Sequence, residues 1–215
     1  MSSREGSRNT SSHQDDVVYL ELLHMDLFGP TTYKSIGGNL YCLVIVDDYS
    51  RYTWVMFLGD KGETPELFKT FARRAQREYN SPIVKIRSDN GTEFKNMKIE
   101  EWCDGVVERK NKTLITLARA MLDDYGTSEK FWAEAINTAC HASNRVYPHR
   151  LLKKTPYELI TGRKPNISYF RVFGCKCFIY KKKRLGKFES RCDEGFFLGY
   201  ASNSTSHVSS TNPEV

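Results

Sequence analysis

The sequence contains no long apolar run and no paired-cysteine motif. Its apolar stretches fall short of the roughly 20 residues needed to span a bilayer, and residues 1–16 are polar, without the apolar centre of a signal peptide. These absences predict an intracellular protein that does not enter the membrane. The cysteines lack the C-x-x-C spacing of a zinc site, so we expect free thiols. They are Cys42, Cys103, Cys140, Cys175, Cys177 and Cys192.

The composition is that of a folded, basic protein. Of the 215 residues, 40% are hydrophobic and 27% are charged, and the formal net charge is +6. This apolar fraction is too high for a wholly disordered chain. The positive charge permits a polyanionic partner such as nucleic acid, although many basic proteins bind none.

Changes in composition predict two folded parts. Residues 1–16 are rich in Ser, Arg and Asn and predict a disordered leader, and the first folded domain is expected at 17–147. Residues 148–169 hold turn-forming Pro and Gly and predict a linker with one helical turn. Short strand patterns in 170–201 predict a small β-domain, and 202–215 a disordered tail.

Hydrophobic periodicity predicts an α/β fold for the first domain. Strands are expected at 20–26, 41–46, 52–58 and 83–87, because these segments alternate or are rich in β-branched and aromatic residues. Helices are expected at 64–79, 106–125 and 129–145, where apolar residues recur with helical spacing. A short helix is also expected at 95–103.

Three carboxylates stand where such a fold brings side chains together. Asp26 lies at the end of one predicted strand, Asp89 follows another, and Glu108 lies near the start of a predicted helix. Oxygen ligands of this kind suit magnesium, and two such ions can hold the oxygens of a phosphodiester displacement. By spacing alone, the two Asp residues could equally be turn formers and Glu108 an ordinary solvated residue.

The motifs around these carboxylates resemble those of a known family. The segments HMDLFGP (24–30), SDNGTEF (88–94) and GVVERKN (105–111) are similar, in this order, to the catalytic blocks of integrases from Copia-type (Pseudoviridae) LTR retrotransposons. The likeness continues through TPYE (155–158) and GFFLGY (195–200). Several linked motifs in one order are more specific than any single one.

The resemblance implies a ribonuclease-H-like mixed sheet flanked by helices, followed by a small Src-homology-3-like β-barrel. It implies that Asp26, Asp89 and Glu108 are catalytic and bind two Mg²⁺ or Mn²⁺ ions for cleavage and joining of DNA. Element and target DNA would be the partners. A homo-oligomer and a nuclear location are also expected from the resemblance.

The connection between the second and third carboxylates departs from the family pattern. Eighteen residues separate Asp89 from Glu108, whereas the family has about twice as many, including the last strand of the sheet and a DNA-gripping loop. If 95–103 formed a helix, two residues could not return the chain to the site. Glu108 would then stay away from Asp26, unless the helix melted. We therefore expect impaired catalysis; the alternatives are a nucleic-acid-binding remnant without activity and a poorly folded product.

Basic residues and a histidine accompany these motifs. Arg109, Lys110 and Lys112 follow Glu108 and could contact phosphates, although a solvated helix face explains them almost as well. His24 shares a strand face with Asp26, and a buried histidine is favoured over a metal ligand. The basic run 181–184 fits either a nuclear-import or nucleic-acid segment, or a solvated turn.

Overall fold

A computed structural model describes residues 19–88, 100–101, 105–181, 186–200 and 207–210, with only the backbone considered at 100–101 and 207–210. Its larger sheet has five strands in the order β3-β2-β1-β4-β5. Helices cover both faces of this sheet. The predicted mixed α/β fold is therefore confirmed.

Three antiparallel strands form the first half of the larger sheet. They are β1 (Leu22–Phe28), β2 (Tyr41–Asp47) and β3 (Thr53–Leu58). Residues 42–47 of β2 are all buried, which explains the unbroken apolar run: the strand is covered on both faces. The predicted positions of these strands agree to within two residues.

Helix α1 (Thr64–Tyr79) covers one face of this sheet. Pro65 at its first turn has the backbone angle that a helix start requires. Phe68, Phe71 and Ala75 form its buried stripe and pack in one hydrophobic core with Met25 and other residues of β1 and β2. The amphipathic spacing thus fixed both the helix and its buried face.

Two parallel strands complete the sheet, and one of them corrects a prediction. The strand β4 (Lys85–Ser88) pairs with β1, and β5 (Glu100–Glu101) pairs with β4. The expectation of a helix over 95–103 is wrong at residues 100–101, because these two residues extend the sheet. The remainder of that segment lies outside the described residues. A two-residue strand is held by its neighbour and leaves almost no periodic signal in sequence.

Helices α2 (Gly105–Asp124) and α3 (Trp132–Val146) pack on the other face of the sheet. The predicted helix at 129–145 begins instead with a 3₁₀ turn over Glu129–Phe131, capped by the Ser128 hydroxyl. The second hydrophobic core includes Val44 from β2, Leu114 from α2 and Ala139 from α3. This core places the beginning of α2 against the central strand β1.

A three-stranded antiparallel sheet follows α4 (Pro156–Thr161). Its strands are β6 (Lys176–Tyr180), β7 (Cys192–Tyr200) and β8 (His207–Ser210). The last of these lies in the segment expected to be an irregular tail. Phe173 and Leu198 belong to the same core as α2 and α3, so this sheet packs directly on α3.

The contact between α3 and the small sheet is partly aromatic. The His141 ring stacks on Tyr200 with 4.4 Å between ring centroids. Gly199 approaches so closely that a Cβ there would lie 2.5 Å from Thr138 Oγ1. The backbone of β7 is therefore fitted to the surface of α3.

The expectations about membrane-spanning segments and about the cysteines can be compared with the described part of the chain. No helix in it has the length and apolar character of a bilayer-spanning segment. Five of the six cysteines are described and are free thiols: Cys42, Cys140, Cys175, Cys177 and Cys192. Cys103 lies outside the described residues.

Candidate active site

Asp26 lies near the end of the central strand β1, on the face that α2 covers. Its Cα partner on β2 is Val44, which belongs to the core beneath α2 and α3. The preceding residue, Met25, pairs with Ser88 at the end of β4. The sequence-predicted position of Asp26 at a strand end is therefore confirmed, and its carboxylate is partly buried.

Asn111 on α2 contacts this carboxylate. Its Nδ2 donates to Asp26 Oδ2 at 2.5 Å, and the side chain is only 5% exposed. Its other amide atom, Oδ1, is buried and has no hydrogen-bond partner in the described part of the chain. An oxygen acceptor thus lies unsatisfied beside Asp26.

Sequence analysis did not single out Asn111, although one signal was available. The buried stripe of α2 consists of Val107, Asn111, Leu114 and Ala118. A polar residue in an otherwise apolar stripe requires a partner, because burying an unpaired amide costs free energy. The helical spacing alone could have flagged Asn111, but not its partner.

Glu108 lies in the first turn of α2, three residues before Asn111. Its side chain is 66% exposed, and its Oε1 accepts from Lys112 Nζ at 2.7 Å. The hydrogen bond and positive charge of Lys112 hold the pKa of Glu108 below its ordinary value. The carboxylate is therefore ionised at neutral pH and ion-paired with Lys112.

The third predicted carboxylate cannot be placed with the other two. Asp89 lies outside the described residues, so the predicted distance between Asp26 and Asp89 is untested. Among the residues that are described, no group of three His, Cys, Asp or Glu side chains could hold a metal ion. The roles of Asp26, Asp89 and Glu108 thus stay predictions.

His24 shares the strand face of Asp26, but it is buried and contacts a different carboxylate. It is 1% exposed, and its Nε2 lies 2.8 Å from Asp48 Oδ1. Asp48 also pairs with Arg51 at 3.3 Å. The expectation of a buried histidine is confirmed, and its polar contact ties β1 to the turn after β2.

The three basic residues after Glu108 divide between two flanks of α2. Lys112 pairs with Glu108, whereas Arg109 and Lys110 line a cleft on the other side of the buried stripe. Lys110 Nζ donates to Ser143 Oγ on α3 at 2.9 Å. Burial lowers the pKa of Lys110. These residues are adjacent in sequence, but the helix places them on different flanks.

The basic run 181–184 is described only at its first residue. Lys181 Nζ lies 2.7 Å from Asp193 Oδ1. This ion pair joins the end of β6 to β7, which fits the structural interpretation for that one lysine. The other three residues lie outside the described part of the chain.

A family comparison covers the first part of the chain. Residues 20–106 match the model of the integrase core domain. The matched range contains Asp26 and Asp89 and ends two residues before Glu108. The matched range therefore does not include the third carboxylate.

Curated relatives match most of the chain. It is 32% identical over 208 residues to the retrovirus-related Pol polyprotein from transposon TNT 1-94 of Nicotiana tabacum, covering 88% of this chain and 16% of that protein. It is 24% identical over 205 residues to the corresponding polyprotein from transposon RE2 of Arabidopsis thaliana, with 88% and 14% covered. The chain thus spans less than a fifth of the length of these relatives.

Solved structures show the same fold. The HTLV-2 integrase catalytic core domain in complex with magnesium (trimeric form) has a TM-score of 0.51 at 22% identity, covering 67% of this chain and 98% of that one. The simian T-cell lymphotropic virus intasome in complex with PP2A regulatory subunit B56 gamma has a TM-score of 0.52 at 15% identity, covering 89% and 76%. These structures show the shared fold, and the family model together with the curated relatives identifies the chain as a Copia-like retrotransposon integrase region.

Proposed function

We propose that this region binds DNA and divalent metal ions for phosphodiester cleavage and strand transfer, and that its catalytic step is impaired. Asp26, Asp89 and Glu108 are the proposed metal-binding and catalytic residues. The observation that carries the proposal is the contact of Asn111 with Asp26, because it brings the helix that bears Glu108 onto the central strand that bears Asp26.

The register of the sheet supports a role for Asp89 in the same site. Ser88, the last residue of β4, is the Cα partner of Met25, which immediately precedes Asp26. The chain therefore leaves β4 beside the strand position that carries the first carboxylate. We infer that Asp89 contributes the second carboxylate from there.

The residues present suit a hard divalent cation. Asp26 offers carboxylate oxygen, and the buried Oδ1 of Asn111 offers an amide oxygen without another partner in the described part of the chain. Mg²⁺ and Mn²⁺ prefer such oxygen ligands. When bound, the ions would polarise the phosphate and lower the pKa of an attacking water or hydroxyl. Asn111 meanwhile orients the Asp26 carboxylate through its N–H.

Two observations support the proposed impairment, the short connection before α2 and the ion pair of Glu108. Three residues separate the end of β5 from the start of α2, where the resemblance implies a longer loop. The last strand itself is present at Glu100–Glu101, so the proposed loss concerns the loop rather than the strand. Glu108 is also engaged by Lys112, and a metal ion would have to compete with that ion pair.

A second candidate function is DNA binding without catalysis. The observation in its favour is the cleft lined by Arg109 and Lys110, which does not depend on the carboxylates. DNA is then the partner in both candidates. Self-association and a nuclear location, expected from the resemblance, belong to the same proposal.

The small sheet is proposed to be part of a barrel. Its three antiparallel strands carry an irregularity between Phe197 and Gly199, a feature that lets a strand bend. Closure of a Src-homology-3-like barrel would require residues beyond the three strands. A crystal structure of the chain would decide it, and an open three-stranded sheet would contradict the barrel.

The proposal is tested by strand transfer between labelled DNA duplexes in Mg²⁺ or Mn²⁺. We expect background joining by this chain, no further loss with Glu108→Gln, and gain of joining after an insertion at Asp104 that restores the family spacing. Mn²⁺ binding, measured by calorimetry, should weaken in Asp26→Asn without a change in fold. Robust joining by the unmodified chain, abolished by Glu108→Gln, would show that the shorter connection is sufficient. Absence of both metal and DNA binding would reject the proposal as a whole.

A further inference from the structure

We propose that a cleft beside the first half of α2 binds a phosphate group of the DNA backbone. The inference rests on the DNA binding proposed above, and assigns it to a particular place. The cleft has a volume of about 330 Å³ and lies between α2 and the end of β2. Its lining residues are Val46, Arg51, Val106, Arg109, Lys110 and Thr113.

The cleft is separate from the carboxylate site, although both lie on α2. Successive residues of a helix are turned by about 100°. On that geometry Arg109, Lys110 and Thr113 fall on one flank of the buried stripe, and Glu108 and Lys112 fall on the other. A phosphate in the cleft would therefore lie on the β2 side of the helix, away from the Glu108–Lys112 ion pair.

The charge of the cleft is not balanced within the described part of the chain. Three of its six lining side chains are cationic. Arg51 lies 3.3 Å from Asp48, whose carboxylate also contacts His24. Neither Arg109 nor Lys110 has a described carboxylate within salt-bridge distance. Of the three cations, only Arg51 therefore has a described carboxylate within salt-bridge distance.

Lys110 is the most informative of these cations. Its ammonium group is partly buried and has one hydrogen bond, to Ser143 Oγ, which in turn donates to the Cys140 carbonyl. An ammonium group has three N–H donors, and a buried cation without an anion is unfavourable. An anion in the cleft would offset that cost.

The chemistry of the lining favours a phosphate over other anions. Arginine binds phosphate oxygens through paired N–H donors, and lysine contributes a compact charge. The two arginines come from different elements, the turn after β2 and the helix α2. A single tetrahedral anion can accept hydrogen bonds from donors on two different elements. In a DNA-binding region, the backbone phosphate is the anion available.

A matched pair of substitutions tests the assignment. Thr113 and Thr116 are both exposed on α2, and each hydroxyl donates to the carbonyl four residues earlier. Thr113 lines the cleft and Thr116 does not. Thr113→Glu and Thr116→Glu therefore add the same charge to the same helix and remove the same type of hydrogen bond, but only the first places a carboxylate in the cleft.

Binding of a fluorescent DNA duplex is measured by anisotropy over a series of salt concentrations. We expect Thr113→Glu to weaken binding on the order of tenfold, and to reduce the slope of log K against log salt by about 1, because about one phosphate contact is lost. Thr116→Glu should keep the slope and bind within about twofold of the unmodified chain. Lys110→Met, which keeps the length of the side chain, should resemble Thr113→Glu.

Equal effects of the two Glu substitutions, with unchanged slopes, would overturn the cleft as a phosphate site while leaving DNA binding intact. If the unmodified chain bound no DNA, the DNA proposal would fail, and inorganic phosphate would test the cleft. NMR shifts of the Arg109–Thr113 amides during a phosphate titration, absent in Thr113→Glu, would support the cleft. No shifts in the unmodified chain would reject it.

Discussion

The Asn111 Nδ2 atom lies 2.5 Å from Asp26 Oδ2 and joins residues 85 positions apart in sequence. This contact fixes α2 against the central strand and satisfies a carboxylate that is partly removed from water. Because Asn111 is 5% exposed, its removal leaves the carboxylate without this donor.

Asn111→Ala should lower the free energy of unfolding by about 1–3 kcal/mol, because the partly buried Asp26 carboxylate loses this donor. Urea denaturation followed by circular dichroism measures the change. Asn137→Ala is the control, since Asn137 is exposed on α3 and should change stability by less than about 0.5 kcal/mol. Equal losses in both variants would contradict a specific role for the Asn111 contact.

Lys112→Met should raise the pKa of Glu108 toward its ordinary value. The hydrogen bond from Lys112 is the largest cause of the lowered pKa, and the charge of Lys112 is the next. An NMR titration of the Glu108 side-chain carboxyl measures it. Lys69→Met is the control, because Lys69 pairs with Glu66 on α1. A pKa of Glu108 that did not change in Lys112→Met would show that the ion pair is absent in solution.

Acid should weaken the protein partly through His141. Burial, and next the charge of Arg145, lower the pKa of His141 from 6.5 to about 4. The unfolded state therefore takes up a proton before the folded state does, so the stability contributed by the neutral ring is present above about pH 6.5 and is lost as the pH falls toward 4.

His141→Phe keeps a ring beside Tyr200 and removes this titration. Between pH 7 and pH 4.5 the unmodified chain should lose about 1–2 kcal/mol more stability than His141→Phe, a value reduced from the full linkage because the ring is partly exposed. Denaturation at both pH values measures the difference. Parallel pH profiles would contradict the prediction.

Gly199→Ala should disrupt the packing of β7 on α3. Gly199 has a φ of +130°, which L-residues rarely adopt, and an added Cβ would lie 2.5 Å from Thr138 Oγ1. We expect a loss of about 2–4 kcal/mol from the combined strain and overlap. In a double-mutant cycle, Thr138→Ala should recover part of that loss by removing the overlapping hydroxyl. Simple additivity would show that only the backbone conformation matters.

Local sequence patterns were sufficient for most elements of the core. The apolar run of β2 and the Thr64-Pro65 start of α1 predicted structure that is observed. The motif TPYE likewise gave a helix start, with Thr155 and Glu158 capping each other. Each of these signals acts within a few residues, which is why it can be found without a fold.

Short or solvent-facing features were harder to predict. The strand Glu100–Glu101 was expected to be helical, because two residues carry no periodicity and their partner β4 comes to lie beside them only on folding. The strand His207–Ser210 was likewise assigned to an irregular tail. Both are held by hydrogen bonds to a neighbouring strand rather than by their own preference.

The sequence by itself determined that this chain forms an α/β integrase core with Asp26 near the end of its first strand, because alternation and turn residues act locally and the linked motifs are specific. Only the tertiary structure decided that Asn111 donates to Asp26, that Glu108 pairs with Lys112, and that Arg51 joins Arg109 and Lys110 around one cleft. These relationships depend on how α2 crosses the sheet. That crossing is set by burial of Val107, Leu114 and Ala118 in a core shared with β2 and α3, and no single segment of the sequence contains it.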